Sequence, residues 1–158
     1  MEDYGGDEPA IYDIALATER VAAAAEVAHG GGVHLVLTGR AENFIRGNPD
    51  LGDTIERLQA YQEAGADVLY APGLSTAEEI RQVVSSVDRP VNVLLIPGGP
   101  NVADLAAAGV ARLSVGGMLA WVAWGAVAEA AGELLADGTQ GYGKLARAGG
   151  KAAGAALS

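Results

Sequence analysis

Val33-His-Leu-Val-Leu-Thr-Gly-Arg-Ala-Glu-Asn-Phe44 is the stretch on which the reading of this chain turns. Its first half, Val33–Thr38, is apolar and rich in β-branched residues, with the length of a buried strand. Its second half presents Gly39, Arg40, Glu42 and Asn43. A buried strand that ends in a glycine, a guanidinium and a carboxylate puts charge at the lip of a core. In parallel α/β folds the carboxyl ends of strands are where sites are built.

On either side of this stretch the pattern repeats. Ile11, Ile14, Ala15, Val21, Ala25 and Ala28 recur at helical spacing, and Gly30-Gly31-Gly32 stops that helix. Asp53 with Glu56 has the spacing of a capping box, and Leu51, Ile55, Leu58 and Tyr61 form the apolar stripe behind it. Asp67–Ala71 is predicted as a second strand. Thr76 with Glu79 is a second capping box, ahead of the stripe Ile80, Val83, Val84 and Val87. Val91–Ile96 and Ala111–Val115 are predicted as the third and fourth strands. Between them, Asn101 caps a short helix that ends at Gly109. A helix starts at Met118, and Gln140–Ala156 is helix-prone. Alternation of strand and helix four times over is the pattern of a parallel sheet with helical crossovers.

The chain has 158 residues, half of them apolar, enough for one domain with a real core. A formal net charge of −10 argues against a nucleic-acid partner, which needs clustered Lys and Arg. It leaves room for a small anionic substrate, which needs one or two well-placed cations. No cysteine is present, so no disulfide framework, thiolate metal site or cysteine nucleophile is available. Met118–Leu135 is the most apolar long stretch. Because Gly125, Glu129, Gly132 and Glu133 interrupt it, it is expected to be a core-facing helix and not a membrane span. The acidic, polar start is unlike a secretory signal, so the cytoplasm is the expected compartment.

Four segments taken together resemble the isocitrate lyase and phosphoenolpyruvate mutase superfamily. They are Arg40-Ala-Glu-Asn-Phe44, Thr54-Ile-Glu-Arg-Leu-Gln-Ala-Tyr-Gln-Glu-Ala-Gly-Ala-Asp67, Pro90-Val-Asn-Val-Leu94 and Gly109-Val-Ala-Arg-Leu-Ser-Val-Gly-Gly117. Met1-Glu-Asp3 and the following Tyr12-Asp-Ile-Ala-Leu-Ala-Thr-Glu-Arg20 resemble the end of the family's fourth strand and its next helix. The resemblance implies a (β/α)₈ barrel of which this chain is the C-terminal half, with the first strands, their Asp-rich metal strand and the mobile Lys-Lys-Cys-Gly-His loop missing. The expected organisation is a single partial-barrel domain over 1–158. Residues 1–10 are a strand-four remnant and loop, 11–139 are βα units, and 140–158 are a helical tail. An open half barrel exposes raw sheet edges, so a homo-oligomer is expected.

By the same resemblance Arg40 binds the anionic group of a small carboxylate substrate. A guanidinium clamps a carboxylate or phosphonate through two parallel hydrogen bonds; the other reading of Arg40 is an ion pair with Glu42. Glu2 matches the glutamate that helps hold Mg²⁺ through water, and the bland alternative is a solvated terminal acid. Asp3 is expected to face solvent or to cap. Asn92 matches a substrate-contacting asparagine, with an amide tie between strands as the other reading. Ser114, Gly116 and Gly117 precede a helix and make a candidate anion site. His29 and His34 lack metal-ligand spacing in sequence and are expected to be structural.

The implied activity is a Mg²⁺-dependent carbon–carbon lyase or phosphonomutase acting on a small 2-oxo or 2-hydroxy carboxylate through an enolpyruvate-like intermediate. Pro72 stands where methylisocitrate-cleaving branches carry glutamate, and Val93-Leu94-Leu95 replaces their Thr-Glu-Phe. Two alternatives stay open: a non-catalytic barrel fragment that self-associates, and a small α/β domain that binds a phosphorylated ligand.

Overall fold

A computed structural model of the protein describes residues 1–6 and 11–156. Residues 7–10 of the expected N-terminal remnant and the last two of the tail lie outside the described residues. The chain divides into two compact units, Met1–Val115 and Gly116–Ser158.

The first unit is an α/β layer built on a four-stranded parallel sheet in the order β1-β2-β3-β4. The strands are β1 (Thr38–Arg40), β2 (Val68–Tyr70), β3 (Val91–Leu94) and β4 (Arg112–Ser114). Helices α1 (Ile14–His29), α2 (Leu51–Glu63), α3 (Ala77–Ser85) and α4 (Val102–Ala107) alternate with them. Met1–Asp3 extends the sheet past β1: Arg40 N–H donates to Met1 O at 2.9 Å and Asp3 N–H to Arg40 O at 3.3 Å. The core lies between the sheet and the helices and is centred on Leu58, Tyr61, Leu69, Ile80, Val83 and Leu105. Gly39 is in β1 because α2 packs against it. A β-carbon there would sit 3.0 Å from Tyr61 Cβ and 3.1 Å from Ala66 Cβ.

The expected strand Val33–Thr38 is displaced. Val33, Leu35 and Val36 are exposed, and the ladder begins only at Thr38. One local and one long-range bond hold this stretch ahead of the ladder. Leu35 N–H donates back to Ala28 O at 3.0 Å, and Leu37 N–H donates to the Asp67 carboxylate at 2.7 Å. Gly39 and Arg40 are therefore inside the strand and not beyond its end. The capping of α2 is also shifted: Asp50 is the N-cap and accepts from Asp53 N–H at 3.0 Å, which frees the Asp53 side chain for Arg57. The other two caps form as read. Thr76 and Glu79 make a reciprocal capping box, and Asn101 accepts from Ala103 and Asp104.

The second unit consists of α5 (Met118–Asp137) and α6 (Gly143–Ala156). The Glu133 carboxylate fastens the turn between them, accepting from Gly141 N–H at 2.6 Å and from the Thr139 hydroxyl. The expectation that Met118–Leu135 faces a core is not met. No described residue of α5 is buried, and Trp121 and Trp124 are 66% and 70% exposed. Its apolar side chains run around the whole helix, so no single stripe marks a face for burial. With 20 residues and a mean hydropathy of 1.3 over its most apolar 18-residue stretch, α5 has the length and composition of a membrane span, properties that core helices share.

Glu79 carries a lowered pKa. Burial pushes it up, and the hydroxyl and N–H of Thr76 with the N–H of Ser75 outweigh that. Thr76→Ala is expected to cost about 1 kcal/mol in urea unfolding at neutral pH. A carboxyl with a depressed folded pKa stabilises above its ordinary range and loses that contribution as pH falls through the lowered value. The T76A penalty should therefore shrink as unfolding is repeated at progressively acidic pH, and a constant penalty would rule out the reciprocal bond.

Candidate functional site

Strand register assembles a row of polar side chains. Arg40 pairs with Tyr70, Tyr70 with Asn92, and Asn92 with Arg112. Glu2 bridges to Arg40 on the other side. Successive residues of a strand point to opposite faces, so this row shares one face while Gly39 and Leu69 turn to the helices. Glu2, Thr38, Arg40, Tyr70 and Arg112, with Arg20 from α1, line an open cleft of about 540 Å³.

The charge of Arg40 is fixed from below. Glu42 is fully buried, and its two oxygens take Arg40 Nε and Arg46 Nε, the latter at 3.0 Å. A buried carboxylate needs such pairing to remain ionised. Arg40 also lies 3.5 Å from Glu2 Oε2 and 5.2 Å above the Tyr70 ring. Its Nε is used by Glu42, and among the described residues its terminal nitrogens carry no hydrogen bond. The ion-pair reading of Arg40 is thus realised, and Arg40 also lines the cleft. Burial pushes the Tyr70 phenol up, against the pull of Arg40, so it stays a neutral hydroxyl at neutral pH.

Asp3 corrects the sequence reading: it is 2% exposed. Its carboxylate accepts from Glu42 N–H at 2.9 Å, Tyr61 Oη–H at 2.7 Å and Arg57 at 3.2 Å. Arg57 is itself held by Asp53 at 2.8 Å and by Tyr12 O at 2.8 Å. Burial and the neighbouring Asp3 charge raise the Tyr61 pKa strongly, which keeps the phenol a donor. This joint sets the chain direction into Glu42 and hence the foot of Arg40.

Asn92 is buried and ties strands together. Its amide donates to Ser114 Oγ at 3.1 Å and its oxygen accepts from Arg112 at 2.8 Å. Glu2, Arg40, Asn92 and Ser114 are therefore gathered in the first unit. Gly116 and Gly117 belong to the second. There Gly117 caps α5 without a side-chain bond, and the Trp121 ring lies where a β-carbon on it would come within 3.1 Å. Arg112, Tyr70 and Arg20 were not singled out from the sequence. For Arg112 a signal existed, because it is two residues from Ser114 and so on the same face.

The described residues do not make a Mg²⁺ site. Such an ion wants several oxygen ligands, usually carboxylates and waters. Among the described residues lining the cleft Glu2 is the one carboxylate, alongside three guanidiniums, and Asp3 and Glu42 are spent on the arginines that pair with them. The described side chains that line the cleft are predominantly cationic.

Removing Asp3 leaves Arg57 and Tyr61 buried without their acceptor. Asp3→Ala is expected to lower unfolding stability by about 3–5 kcal/mol, the cost of breaking a buried ion pair from one side. A loss below 1 kcal/mol in a denaturant titration would show that the joint is not structural.

The family model described as phosphoenolpyruvate phosphomutase matches residues 1–135. The crystal structure of a lyase/mutase-type protein from Burkholderia cenocepacia J2315 superposes with a TM-score of 0.84 at 46% identity, covering 91% of this chain and 53% of that one. An uncharacterised Mycobacterium tuberculosis protein is 35% identical over 97 residues, 61% of this chain and 37% of that protein. The 2-methylisocitrate lyase of Halalkalibacterium halodurans is 40% identical over 57 residues, 36% of this chain and 18% of the enzyme. The chain thus spans about half of the Burkholderia protein and a smaller share of the two others. Its parallel βα units correspond to part of a TIM-barrel lyase/mutase domain, and the chain belongs to the phosphoenolpyruvate phosphomutase family.

Proposed function

We propose that the cleft binds the carboxylate or phosphonate of a small 2-oxo or 2-hydroxy acid, as the anion-holding part of a carbon–carbon lyase or phosphonomutase. The observation that carries this reading is the state of Arg40. Its Nε is anchored to the buried Glu42, and among the described residues its terminal nitrogens have no hydrogen-bond partner, which leaves them for a bidentate anion. Arg20 and Arg112 line the same cleft and add positive potential, and the neutral Tyr70 hydroxyl is a donor beside them. Asn92 and Ser114 hold Arg112 in place across β3 and β4. The similarity to a 2-methylisocitrate lyase supports a carboxylate substrate whose carbon–carbon bond is cleaved to an enolpyruvate-like product. No step is assigned to Mg²⁺ on the residues described.

The single cleft carboxylate favours a second reading, in which this chain binds the anion without turning it over. Calorimetric titration with oxalate, a planar dicarboxylate, tests the binding common to both. Arg40→Ala should weaken it about ten- to hundredfold, the equivalent of ~1.5–3 kcal/mol for a hydrogen bond to a charged group. Arg40→Lys should weaken it too, because an ammonium cannot hold Glu42 and present two parallel N–H groups at once. Equal affinity in wild type and both variants would remove Arg40 from the site. Pyruvate release from oxaloacetate then separates turnover from binding alone.

We also propose self-association. β4 pairs only with β3, so its outer edge is open among the described residues. Light scattering should give a mass above that of one chain, and a stable monomer would refute the proposal.

A further inference from the structure

The turn between α1 and β1 gathers three metal-donor side chains that are far apart in sequence. His29 closes α1, His34 lies just past the three glycines, and Asp67 precedes β2. The triple glycine lets the chain reverse, and the Leu35 N–H bond to Ala28 O holds it reversed. The result stacks the two imidazoles, with centroids 4.3 Å apart and planes within 10°. Both rings aim Nε2 at one carboxylate, His29 at 2.9 Å from Oδ2 and His34 at 3.4 Å from Oδ1. One donor atom from each residue falls within a 4.8 Å cluster.

We propose that His29, His34 and Asp67 form a site for a divalent transition metal of the zinc type. Ligand atoms about 2.0–2.2 Å from a tetrahedral zinc stand roughly 3.3–3.6 Å from one another; the His34–Asp67 separation of 3.4 Å lies in that range and the His29–Asp67 separation of 2.9 Å is somewhat shorter. Two imidazoles with one carboxylate select zinc-like ions over Mg²⁺ or Ca²⁺, which prefer all-oxygen shells. The carboxylate is already oriented from outside the cluster, since Leu37 N–H donates to Asp67 Oδ2 at 2.7 Å. Such outer-shell bonds are how proteins aim metal ligands. His34 is 57% exposed, which leaves the coordination position beyond the three donors open to water or a fourth ligand.

The site is separate from the anion cleft. Asp67 is three residues ahead of Tyr70, so the two lie at opposite ends of β2, about 10 Å apart along an extended strand. A metal there would pin the exposed apolar turn Val33–Leu37 to the start of β2. Its role is a clasp on the first unit and not a part of the substrate chemistry.

Tag-free protein stripped with a chelator and titrated with ZnCl₂ in a calorimeter tests this. Wild type should bind one Zn²⁺ per chain, and its Tm should rise with the metal. His34→Ala, at an exposed position, should keep the far-ultraviolet circular dichroism of wild type. It should lose at least about tenfold in affinity, as weakened coordination shells do, and its Tm should no longer respond. His29→Ala should behave alike, and Co²⁺ in wild type should give the strong visible bands of a low-coordinate ion. Absence of stoichiometric binding, unchanged affinity in His34→Ala, or loss of binding in Glu2→Gln instead would overturn the assignment. None of these outcomes bears on oxalate binding at Arg40.

Discussion

Two buried carboxylates, Asp3 and Glu42, constrain everything around the cleft. Neither can be ionised inside the fold without partners, and each recruits them from a different direction. Glu42 draws Arg40 and Arg46 together, and Asp3 draws Arg57, Tyr61 and the Glu42 backbone. The two are joined through one peptide group, because the N–H of Glu42 is the donor to Asp3. The position of the cleft guanidinium is therefore set by a chain of satisfied charges that runs from the first residues of the chain through α2 to β1. Arg40 is presented by its pairing, and not merely tolerated at the end of a strand.

This arrangement explains why a chain with ten more acidic than basic residues has a cationic cleft. Net charge is a property of the surface as a whole, whereas the field in a concavity depends on which few groups line it. Among the described residues, three guanidiniums and one carboxylate line the cleft. The acids that would reverse its sign are consumed below it. The same division separates the anion cleft from the histidine cluster. The cleft takes in Arg40 and Tyr70 at the ends of β1 and β2, and the histidine cluster lies where β2 begins, so the anion and the cation proposed for them would not compete.

Much of the fold was legible in the primary structure because its signals are local. The Thr76–Glu79 box, the Asn101 cap and the stripes of α2 and α3 depend on residues three or four apart. The short apolar runs located β2, β3 and β4 to within a residue or two. The first strand was misplaced because Val33–Leu37 has the composition of a buried strand but finds no pairing partner until Thr38. Hydropathy does not encode pairing. The same limit applies to α5, whose composition suits a core, a membrane or an exposed helix equally.

The sequence alone determined the alternation of elements, the parallel α/β class, the family and the choice of Arg40 as the residue to watch. These follow from periodicity, turn chemistry and motif order, which are written along the chain. Only the tertiary structure decided that Asp3 is buried, that Glu42 steers Arg40, that Arg112 and Tyr70 join the row, and that His29 and His34 meet at Asp67. The reason is physical: a charge acts through space over a few ångströms, and which charges come that close depends on strand register and on turns between residues tens of positions apart.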